Sequence, residues 1–257
     1  MSDLNVAIIQ SELHWHDPQA NRDAFDQRLT KVDSSVDLVV LPEMFTTGFT
    51  MEPQACAEVM DGPTFDWMAS HARKLDACLC GSLVISDSNH YFNRLIWMRP
   101  DGSYGCYDKR HLFRMANEHH HYSAGESIEV FQHKGWNVCP LVCYDLRFPV
   151  WSRNRQNYDL CIFVANWPAP RVNAWDTLLR ARAIENSTYV IGVNRIGRDN
   201  NGKDYVGHSA IIDFFGKPMV DAKSDPIVAG ATLELDKLNQ FREKFPVHLD
   251  ADEFHIA

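Results

Sequence analysis

The chain of 257 residues predicts an α/β fold, a four-layer αββα sandwich in which helices cover two mixed sheets. Short apolar runs alternate with helical patterns early in the chain, which is typical of parallel strands joined by helices. Hairpin signals interrupt that alternation, so other strands are expected to pair antiparallel. No internal repeat, low-complexity tract or Gly/Ser linker divides the chain, and residues 1–257 are therefore expected to form a single domain.

In the first third of the chain, apolar runs predict strands and apolar residues at helical spacing predict helices. Phe25 and Leu29 share one stripe of the first helix, and Phe65 and Met68 share one stripe of the second. Pro18 stands just before the first helix, where proline is favoured. The expected elements are strands at 4–9, 36–41 and 78–85 and helices at 21–32 and 64–75.

In the rest of the chain, turn chemistry and further apolar runs define the elements. Pro-Asp-Gly at 100–102 has the residues of a tight turn between two strands. A second hairpin is expected around Phe-Gly-Lys at 215–217. The expected elements are strands at 91–98, 103–107, 138–142, 160–165, 189–193, 210–213, 218–220 and 227–235, a helix at 172–186 and a last helix that ends at 244.

Composition and charge exclude several kinds of partner. The formal net charge of −9 argues against nucleic acid or an anionic membrane, although local arginines can still bind a small anionic substrate. No apolar run approaches the roughly 20 residues of a membrane span, and residues 1–10 lack the pattern of a secretory leader. The seven cysteines, an odd number lying mostly in apolar runs, indicate reduced thiols, so a cytoplasmic protein is expected.

Cys143 is the first candidate for a reactive residue. The apolar run 138–142 ends at this cysteine and is followed by a polar turn. A strand that delivers a side chain to a turn at its carboxyl end places it where open α/β sheets bind their ligands. Backbone N–H groups after the cysteine can also face a developing negative charge. Taken alone, however, a cysteine in an apolar run is more often an inert core residue.

Glu43 and Lys109 strengthen the case, because each also follows an apolar run. The ordinary pKa values of Cys and Glu differ by about 4 units, roughly 5.5 kcal/mol against proton transfer. Burial raises the pKa of a carboxyl group and a nearby ammonium lowers that of a thiol. Lys109 can supply that charge and then stabilise an oxyanion together with the Tyr144 N–H. A Cys–Glu–Lys set is thus chemically complete without histidine, and no cofactor is expected.

Two other readings remain open. The first is a Cys–His hydrolase with His208 as the base, since His208 and His111 are the only ones of twelve histidines near predicted strand ends. The second is a binding module without catalysis. A zinc site is not expected, because Cys78 and Cys80 lack a second pair of ligands.

Several motifs resemble those of the nitrilase superfamily of carbon–nitrogen hydrolases, and most closely its bacterial omega-amidase branch. They occur in the family's order and cover most of the chain. The nucleophile motif reads Cys-Tyr-Asp, which resembles an amidase, whereas true nitrilases carry Cys-Trp-Glu. The motifs are LPEMFTTGF (41–49), YDKRHLF (107–113), LVCYDLRFP (141–149), ANWP (165–168), RARAIEN (180–186) and VNRIG (193–197).

The resemblance implies the αββα fold, commonly paired into homodimers, and a role for each reactive residue. Cys143 would be the nucleophile, Glu43 the general base and Lys109 the oxyanion stabiliser. Glu118 matches the family's second glutamate, which holds the lysine. The implied substrates are small 2-oxo-dicarboxylate monoamides such as 2-oxoglutaramate and 2-oxosuccinamate, which are hydrolysed through a cysteine thioester.

Such a substrate requires a cationic clamp for its far carboxylate and an apolar wall. Each candidate also has a structural reading: Arg147 as an ion-pair partner of a nearby Asp, Asn166 as a turn residue, and the aromatic residues as core. The candidates are Arg110, Arg147 and Arg195 for the clamp, Phe45, Phe113 and Trp167 for the wall, and Asn166 beside them.

Overall fold

Two six-stranded sheets form the framework of the computed structural model, which describes residues 3–255. Strands are numbered in chain order. The first sheet contains, in spatial order, β14 (Ile227–Leu233), β1 (Leu4–Gln10), β2 (Leu38–Val40), β3 (Cys78–Asp87), β4 (His90–Met98) and β5 (Tyr104–Asp108). The second contains β13 (Pro218–Asp221), β12 (Ala210–Ile212), β9 (Tyr189–Asn194), β8 (Leu160–Ala165), β7 (Trp136–Val142) and β6 (Phe131–His133).

Both sheets are mixed, as the sequence predicts. In the first sheet β1, β2 and β3 run parallel, while β14, β4 and β5 join by antiparallel pairing. In the second, β7, β8 and β9 run parallel, and β6, β12 and β13 join by antiparallel pairing. A separate two-stranded sheet consists of β10 (Ile196–Arg198) and β11 (Asp204–Val206).

The helices begin and end at recognisable signals. Asp17 caps the first helix by accepting a hydrogen bond from the Ala20 N–H at 3.0 Å. Asp76 and Ser187 end two others in the left-handed conformation. The α-helices are α1 (Pro18–Leu29), α2 (Pro53–Cys56), α3 (Pro63–Leu75), α4 (Val172–Asn186) and α5 (Leu235–Lys244).

The elements stack as helices, sheet, sheet, helices. On the outer face of the first sheet, Phe25 of α1 and Met68 of α3 belong to the same buried cluster as Val39 of β2. A second cluster joins Trp97 of β4 to the strands of the second sheet and to Trp175 of α4. Each sheet therefore buries both faces, which confirms the predicted αββα class and explains why the parallel strands read as continuous apolar runs.

Most element predictions are confirmed within one to three residues at each end. Among the α-helices and strands of the described residues, four were not revealed by the sequence pattern, because each is only three or four residues long: α2, β6, β10 and β11. Within residues 3–255, every helix is too short or too polar to span a bilayer.

The packing of α4 on β9 allows a test of the core. A Cβ added to Gly192 would lie 2.4 Å from Leu179 Cδ1 and 2.9 Å from Trp175 Cζ2. Gly192→Ala is therefore expected to lower the free energy of unfolding by about 1–3 kcal/mol, as overpacking does. The measurement is denaturant unfolding monitored by circular dichroism.

Gly81→Ala in β3 is the matched control. Its added Cβ would approach Leu41 and Phe45 only to 3.0 Å. An equal or larger loss of stability in this variant would contradict the packing described for α4.

Candidate active site

The three predicted reactive residues lie at one end of the interface between the two sheets. Glu43 follows β2, Lys109 follows β5 directly and Cys143 follows β7 directly. Because β4 is antiparallel to both β3 and β5, strands β2 and β5 run in the same direction. Their carboxyl ends therefore reach the same rim of the first sheet, and β7 brings the cysteine from the second.

Cys143 occupies a strained backbone position. Its φ is +47°, a left-handed conformation that residues with a Cβ adopt rarely and that is enriched at functional sites. It opens a short 3₁₀ helix, Cys143–Arg147, immediately after β7. The sharp turn lifts the thiol out of the strand, although the residue as a whole is only 9% exposed.

Lys109 binds two glutamates in a site closed to solvent. Its Nζ lies 3.0 Å from Glu43 Oε1 and 3.0 Å from each carboxylate oxygen of Glu118. All three side chains are 0% exposed. The Lys109 Nζ also lies 5.0 Å from the centre of the Phe49 ring, a cation–π contact. The ammonium is thus surrounded by groups that stabilise its charge.

Neighbouring polar groups fix the carboxylate of Glu43. Asn93 Nδ2 donates to its Oε1 at 2.8 Å, and the backbone N–H of Asn166 donates to its Oε2 at 2.7 Å. The Asn166 side-chain amide also donates to the Glu43 carbonyl oxygen at 2.6 Å. Glu43 also lies close enough to Cys143 to raise the pKa of its thiol. The carboxylate therefore binds the ammonium directly and acts electrostatically on the thiol.

The surroundings of Cys143 favour the protonated form of its thiol. Burial raises the pKa of the Cys143 thiol well above its ordinary range, and the charge of Glu43 raises it further, while Lys109 opposes them. Burial also raises the pKa of Glu118. Burial disfavours the charged form of Lys109, but Glu118 and Glu43 outweigh it and raise its pKa. With both carboxylates ionised, the cluster carries a net charge of −1.

Proton transfer from Cys143 to Glu43 leaves that net charge unchanged. The negative charge moves from an oxygen to a sulfur within one buried cluster, and Lys109 remains beside it. No additional charge has to be desolvated, which removes the main cost of forming a thiolate in a dry site. The arrangement can therefore perform base-assisted nucleophilic attack without a histidine.

A cavity of about 310 Å³ opens over Cys143. Four of the predicted substrate-binding residues line it: Phe113, Arg147, Asn166 and Trp167. Tyr144 lines it as well, next to the nucleophile. The other lining residues are Trp15, Phe49, Thr50, Met51, Glu52, Lys109, Ala116, Pro168, Arg171, Asp199, Asn201, Lys203 and Tyr205.

Three cations on the cavity wall have no carboxylate partner among the described residues: Arg147, Arg171 and Lys203. The Arg147 guanidinium lies 5.0 Å from the centre of the Trp167 ring. Arg171 lies 5.2 Å from the centre of the Phe113 ring. Aromatic rings hold these two arginine side chains in place while their charges stay available to an anion.

Three residues predicted to bind substrate lie outside this cavity, and the expectation for them is corrected. Phe45 is fully buried and packs edge-on against Phe25 in the first sheet's core, with ring centres 5.4 Å apart. Arg110 donates to the Gly125 carbonyl oxygen and faces a separate surface cavity with Trp151. Arg195 is 1% exposed.

Arg195 supports the cavity wall from behind. Its guanidinium lies 4.7 Å from the centre of the Tyr205 ring, and its Nε donates to the Ile196 carbonyl oxygen. Tyr205 in turn lines the cavity and donates its hydroxyl hydrogen to Asp199 at 2.9 Å. Arg195 thus positions the β10–β11 hairpin instead of meeting the cavity itself.

The sequence analysis did not identify several residues around the site, which lie on short elements or are polar residues in the core. Asn93 orients Glu43, and its sequence signal was weak, because it is a polar residue next to Arg94 in β4. Lys203 and Tyr205 belong to the β10–β11 hairpin region, whose strands are too short to produce a periodic pattern. Trp15 comes from the loop after β1, where no pattern indicated a direction for its side chain.

His208 does not line the cavity that contains Cys143. Its Nδ1 lies 3.0 Å from Asp176 Oδ2, and both residues border a different, small cavity beside α4. The charged groups that act most on the pKa of the Cys143 thiol are Glu43, Lys109 and Glu118, and no histidine is among them. The geometry therefore gives no support to a Cys–His hydrolase.

The raised pKa of Cys143 predicts how its alkylation depends on pH. Below the pKa the thiolate fraction grows about tenfold per pH unit. The rate of alkylation by iodoacetamide is expected to keep rising through about pH 9, where an ordinary thiol levels off. Glu43→Gln removes a charge that raises this pKa, so the variant is expected to react faster than the wild type at pH about 8.

Peptide mass spectrometry of the alkylated protein checks both expectations by following Cys143 alone. Cys139 in the same strand, fully buried, is the internal control and is expected to stay unmodified. A rate that levels off near neutral pH would show that the resting nucleophile is already a thiolate.

Comparison with known proteins agrees with this geometry. The family model described as carbon-nitrogen hydrolase matches residues 5–243. The chain is 47% identical over 257 residues to omega-amidase YafV of Yersinia enterocolitica, covering 99% of each. It is 30% identical over 250 residues to 2-oxoglutaramate amidase of Bacillus subtilis, covering 95% of this chain and 96% of that one.

A solved structure is similar over the whole length. XC1258 of Xanthomonas campestris, a CN-hydrolase superfamily protein with an arsenic adduct in its active site, is 46% identical. The alignment covers 100% of both chains with a TM-score of 0.98. The predicted resemblance is therefore confirmed, and the chain belongs to the carbon-nitrogen hydrolase family, within the nitrilase superfamily.

Proposed function

We propose that this enzyme is a thiol-dependent omega-amidase that hydrolyses the terminal amide of small 2-oxo-dicarboxylate monoamides, such as 2-oxoglutaramate and 2-oxosuccinamate. One observation carries the proposal: the buried Cys143–Glu43–Lys109 cluster lies at a cavity whose wall carries three cations without carboxylate partners among the described residues. The cluster suits attack on an amide, and the cations suit a substrate with a carboxylate at its far end. The names of the relatives, omega-amidase and 2-oxoglutaramate amidase, agree with it.

In the first step Glu43 accepts the proton of the Cys143 thiol, and the sulfur attacks the amide carbon of the substrate. The C=O π bond breaks and its electron pair becomes the oxyanion of a tetrahedral intermediate. Lys109 Nζ and the backbone N–H of Tyr144 stabilise that oxyanion. Donors held in a water-excluded site contribute more here than in solution, because they need not reorganise as the charge develops.

In the second step the intermediate collapses and the C–N bond breaks. The proton held by Glu43 passes to the departing nitrogen, so ammonia leaves and a thioester with Cys143 remains. Glu43, ionised again, removes a proton from water, which attacks the thioester. The C–S bond then breaks, the sulfur recovers its proton from Glu43, and the 2-oxo acid is released.

Glu118 and Asn166 take supporting roles in this proposal. Glu118 fixes the Lys109 ammonium through both carboxylate oxygens and accepts the Phe113 N–H at 2.5 Å, which ties the lysine to the cavity wall. Asn166 Oδ1 is buried and has no hydrogen-bond partner among the described residues, although Asn166 lines the cavity. We assign this oxygen to accept a hydrogen bond from the substrate's amide NH₂ group, because a buried acceptor without a partner is costly.

Arg147 is the proposed clamp for the far carboxylate. Its guanidinium lies over the Trp167 ring at the cavity wall, and the residue belongs to the same 3₁₀ helix as Cys143. A planar, pre-oriented guanidinium binds a carboxylate through two parallel hydrogen bonds. Phe113 and Trp167 provide the apolar wall for the methylene groups. Arg171 and Lys203 add positive potential along the cavity wall.

We further propose that residues 1–257 act as one domain in a cytoplasmic homodimer. Support for the single domain comes from the buried cluster, which extends from Leu4 to Leu238. All seven cysteines are free, which supports a reducing compartment. The homodimer rests on the family resemblance, and light scattering of the purified protein tests it.

A second candidate is another amidase of the same superfamily that acts on a different small amide. A cavity of this size accepts several short acyl chains, and one methylene is worth only about 1–3 kcal/mol of discrimination. Values of kcat/KM for 2-oxoglutaramate, 2-oxosuccinamate, neutral amides of matched length and the corresponding nitriles distinguish the two. A neutral amide preferred over both 2-oxo acids would favour the second candidate.

The nucleophile is tested by two cysteine variants in the same segment. Cys143→Ala is expected to lose all measurable ammonia release, because no other thiol of the described residues lines the cavity. Cys139→Ala, which removes a buried sulfur from β7, is expected to keep kcat within about twofold while losing some stability. The measurements are ammonia release and thermal unfolding, and equal loss of turnover in both variants would contradict the assignment.

The clamp is tested by Arg147→Met, which keeps much of the apolar stem but removes the charge. With 2-oxoglutaramate we expect kcat/KM to fall about 10–100-fold. This is the loss expected when a charge-assisted hydrogen bond worth about 1.5–3 kcal/mol is removed. With a neutral amide of the same length we expect a change of less than about threefold.

Arg155→Met is the matched control for the clamp. Arg155 also lies over an aromatic ring, that of Phe254, but it borders a different cavity. This variant is expected to leave both substrates unaffected. Equal losses with the anionic and the neutral substrate in Arg147→Met would rule out the clamp.

A further inference from the structure

Asp145 is a fully buried carboxylate that the catalytic steps do not use. Its Oδ2 accepts hydrogen bonds from the Tyr107 hydroxyl at 2.8 Å and from the Val142 N–H at 3.0 Å. Its Oδ1 accepts from the His111 backbone N–H at 2.9 Å and from His111 Nδ1 at 2.8 Å. Four donors thus converge on one side chain.

The positions of these donors along the chain are informative. Tyr107 precedes Lys109 by two residues, and His111 follows it by two. Val142 directly precedes Cys143. One carboxylate therefore holds the segment carrying the lysine on both sides, and it holds the end of the strand carrying the cysteine as well.

These contacts join two different sheets. Tyr107 belongs to β5 of the first sheet, whereas Val142 belongs to β7 of the second. No β-ladder hydrogen bond connects the two sheets within the described residues. Apolar packing between sheets is non-directional, so directional bonds are needed to fix the ammonium against the sulfur to a fraction of an ångström.

The surroundings keep this link rigid. The Trp151 indole N–H donates to the Tyr107 hydroxyl oxygen at 3.0 Å, which leaves the hydroxyl hydrogen for Asp145. The His111 ring stacks on Phe148 with centres 3.7 Å apart. Arg147, two residues from Asp145, lies over Trp167 at the cavity wall instead of pairing with this carboxylate.

We propose that Asp145 is a positioning residue that sets the distance between the Lys109 ammonium and the Cys143 sulfur, with Tyr107 and His111 as its essential donors. The proposal rests on the proposed function, in which Cys143 attacks the amide carbon and Lys109 stabilises the oxyanion that forms. It predicts an effect on the transition state and little effect on binding of the substrate's far end.

The test is a kinetic comparison of four variants with 2-oxoglutaramate. Asp145→Asn is expected to lower kcat about 100-fold, the order of loss that a misplacement of about 1 Å produces. Tyr107→Phe and His111→Ala each remove one donor and are expected to lower kcat about 10-fold. KM is expected to stay within about twofold throughout, because the carboxylate clamp is unchanged.

His111→Asn is the conservative variant. Its side-chain amide can place a donor near the position of Nδ1, so it is expected to recover most of the kcat that His111→Ala loses. A purely structural role for His111 predicts no such recovery, since asparagine replaces neither the ring stacking on Phe148 nor its buried area.

Two buried residues outside the site serve as controls for loss of stability. Asp159 accepts bonds from the Asn137 N–H and from Arg242, and Tyr158 donates to the Ser152 carbonyl oxygen. Asp159→Asn and Tyr158→Phe are expected to lower the melting temperature with kcat unchanged. All assays are made at a temperature at which circular dichroism shows each variant folded. If Asp145→Asn does not fold, the kcat values of Tyr107→Phe, His111→Ala and His111→Asn test the positioning role instead.

The rate of Cys143 alkylation separates this proposal from the proposed function. Lys109 lowers the pKa of the thiol, so displacing the ammonium is expected to slow alkylation of Asp145→Asn at pH about 8 by about threefold or more. This measurement needs no amide substrate. A wild-type protein that fails to hydrolyse any amide would overturn the proposed function, whereas wild-type alkylation rates and control-like kcat values in the variants would overturn the role of Asp145.

Discussion

The ammonium of Lys109, buried between the carboxylates of Glu43 and Glu118, is the interaction on which the site depends. Removing a charge from water costs several kcal/mol, and three such groups share a volume with no solvent contact. The arrangement is stable only as a set, because loss of one partner leaves an uncompensated charge. That set also determines the chemistry. When Glu43 accepts the proton of Cys143, the negative charge moves from oxygen to sulfur and the net charge of the cluster stays at −1.

The architecture explains how residues so far apart in sequence meet. Two sheets pack through apolar faces, and the ends of β2, β5 and β7 reach the same rim. Apolar packing determines that the sheets touch, but it does not fix their relative placement to the accuracy that catalysis requires. Asp145 provides directional bonds across the gap, and the left-handed backbone of Cys143 aims the thiol. Apolar packing therefore brings the two sheets together, and polar bonds fix the exact positions of the catalytic side chains.

Periodicity and the ends of apolar runs account for the part of the fold and site that is predictable from sequence. The strand at 160–165 is predicted to the residue, and Glu43, Lys109 and Cys143 are identifiable because each comes after such a run. Side-chain direction in irregular segments is not readable in this way. Phe45, two residues after Glu43, turns into the core, while Arg110, next to Lys109, faces a different cavity. Where the backbone turns, side chains of neighbouring residues point in different directions. Only the tertiary structure shows which of them faces the cavity.

Local charge, and not the total charge, governs what the cavity can bind. The chain carries a net charge of −9, yet Arg147, Arg171 and Lys203 line the cavity without carboxylate partners among the described residues. Screening limits exposed acidic groups to an effective range of about 8 Å at physiological salt, so distant carboxylates do little to oppose these cations. The buried cluster is negative, whereas the wall beyond it carries three cations against the two carboxylates of Glu52 and Asp199. The proposed substrate, with a neutral amide at one end and a carboxylate at the other, matches that polarity when its amide lies at the sulfur and its carboxylate at the arginines.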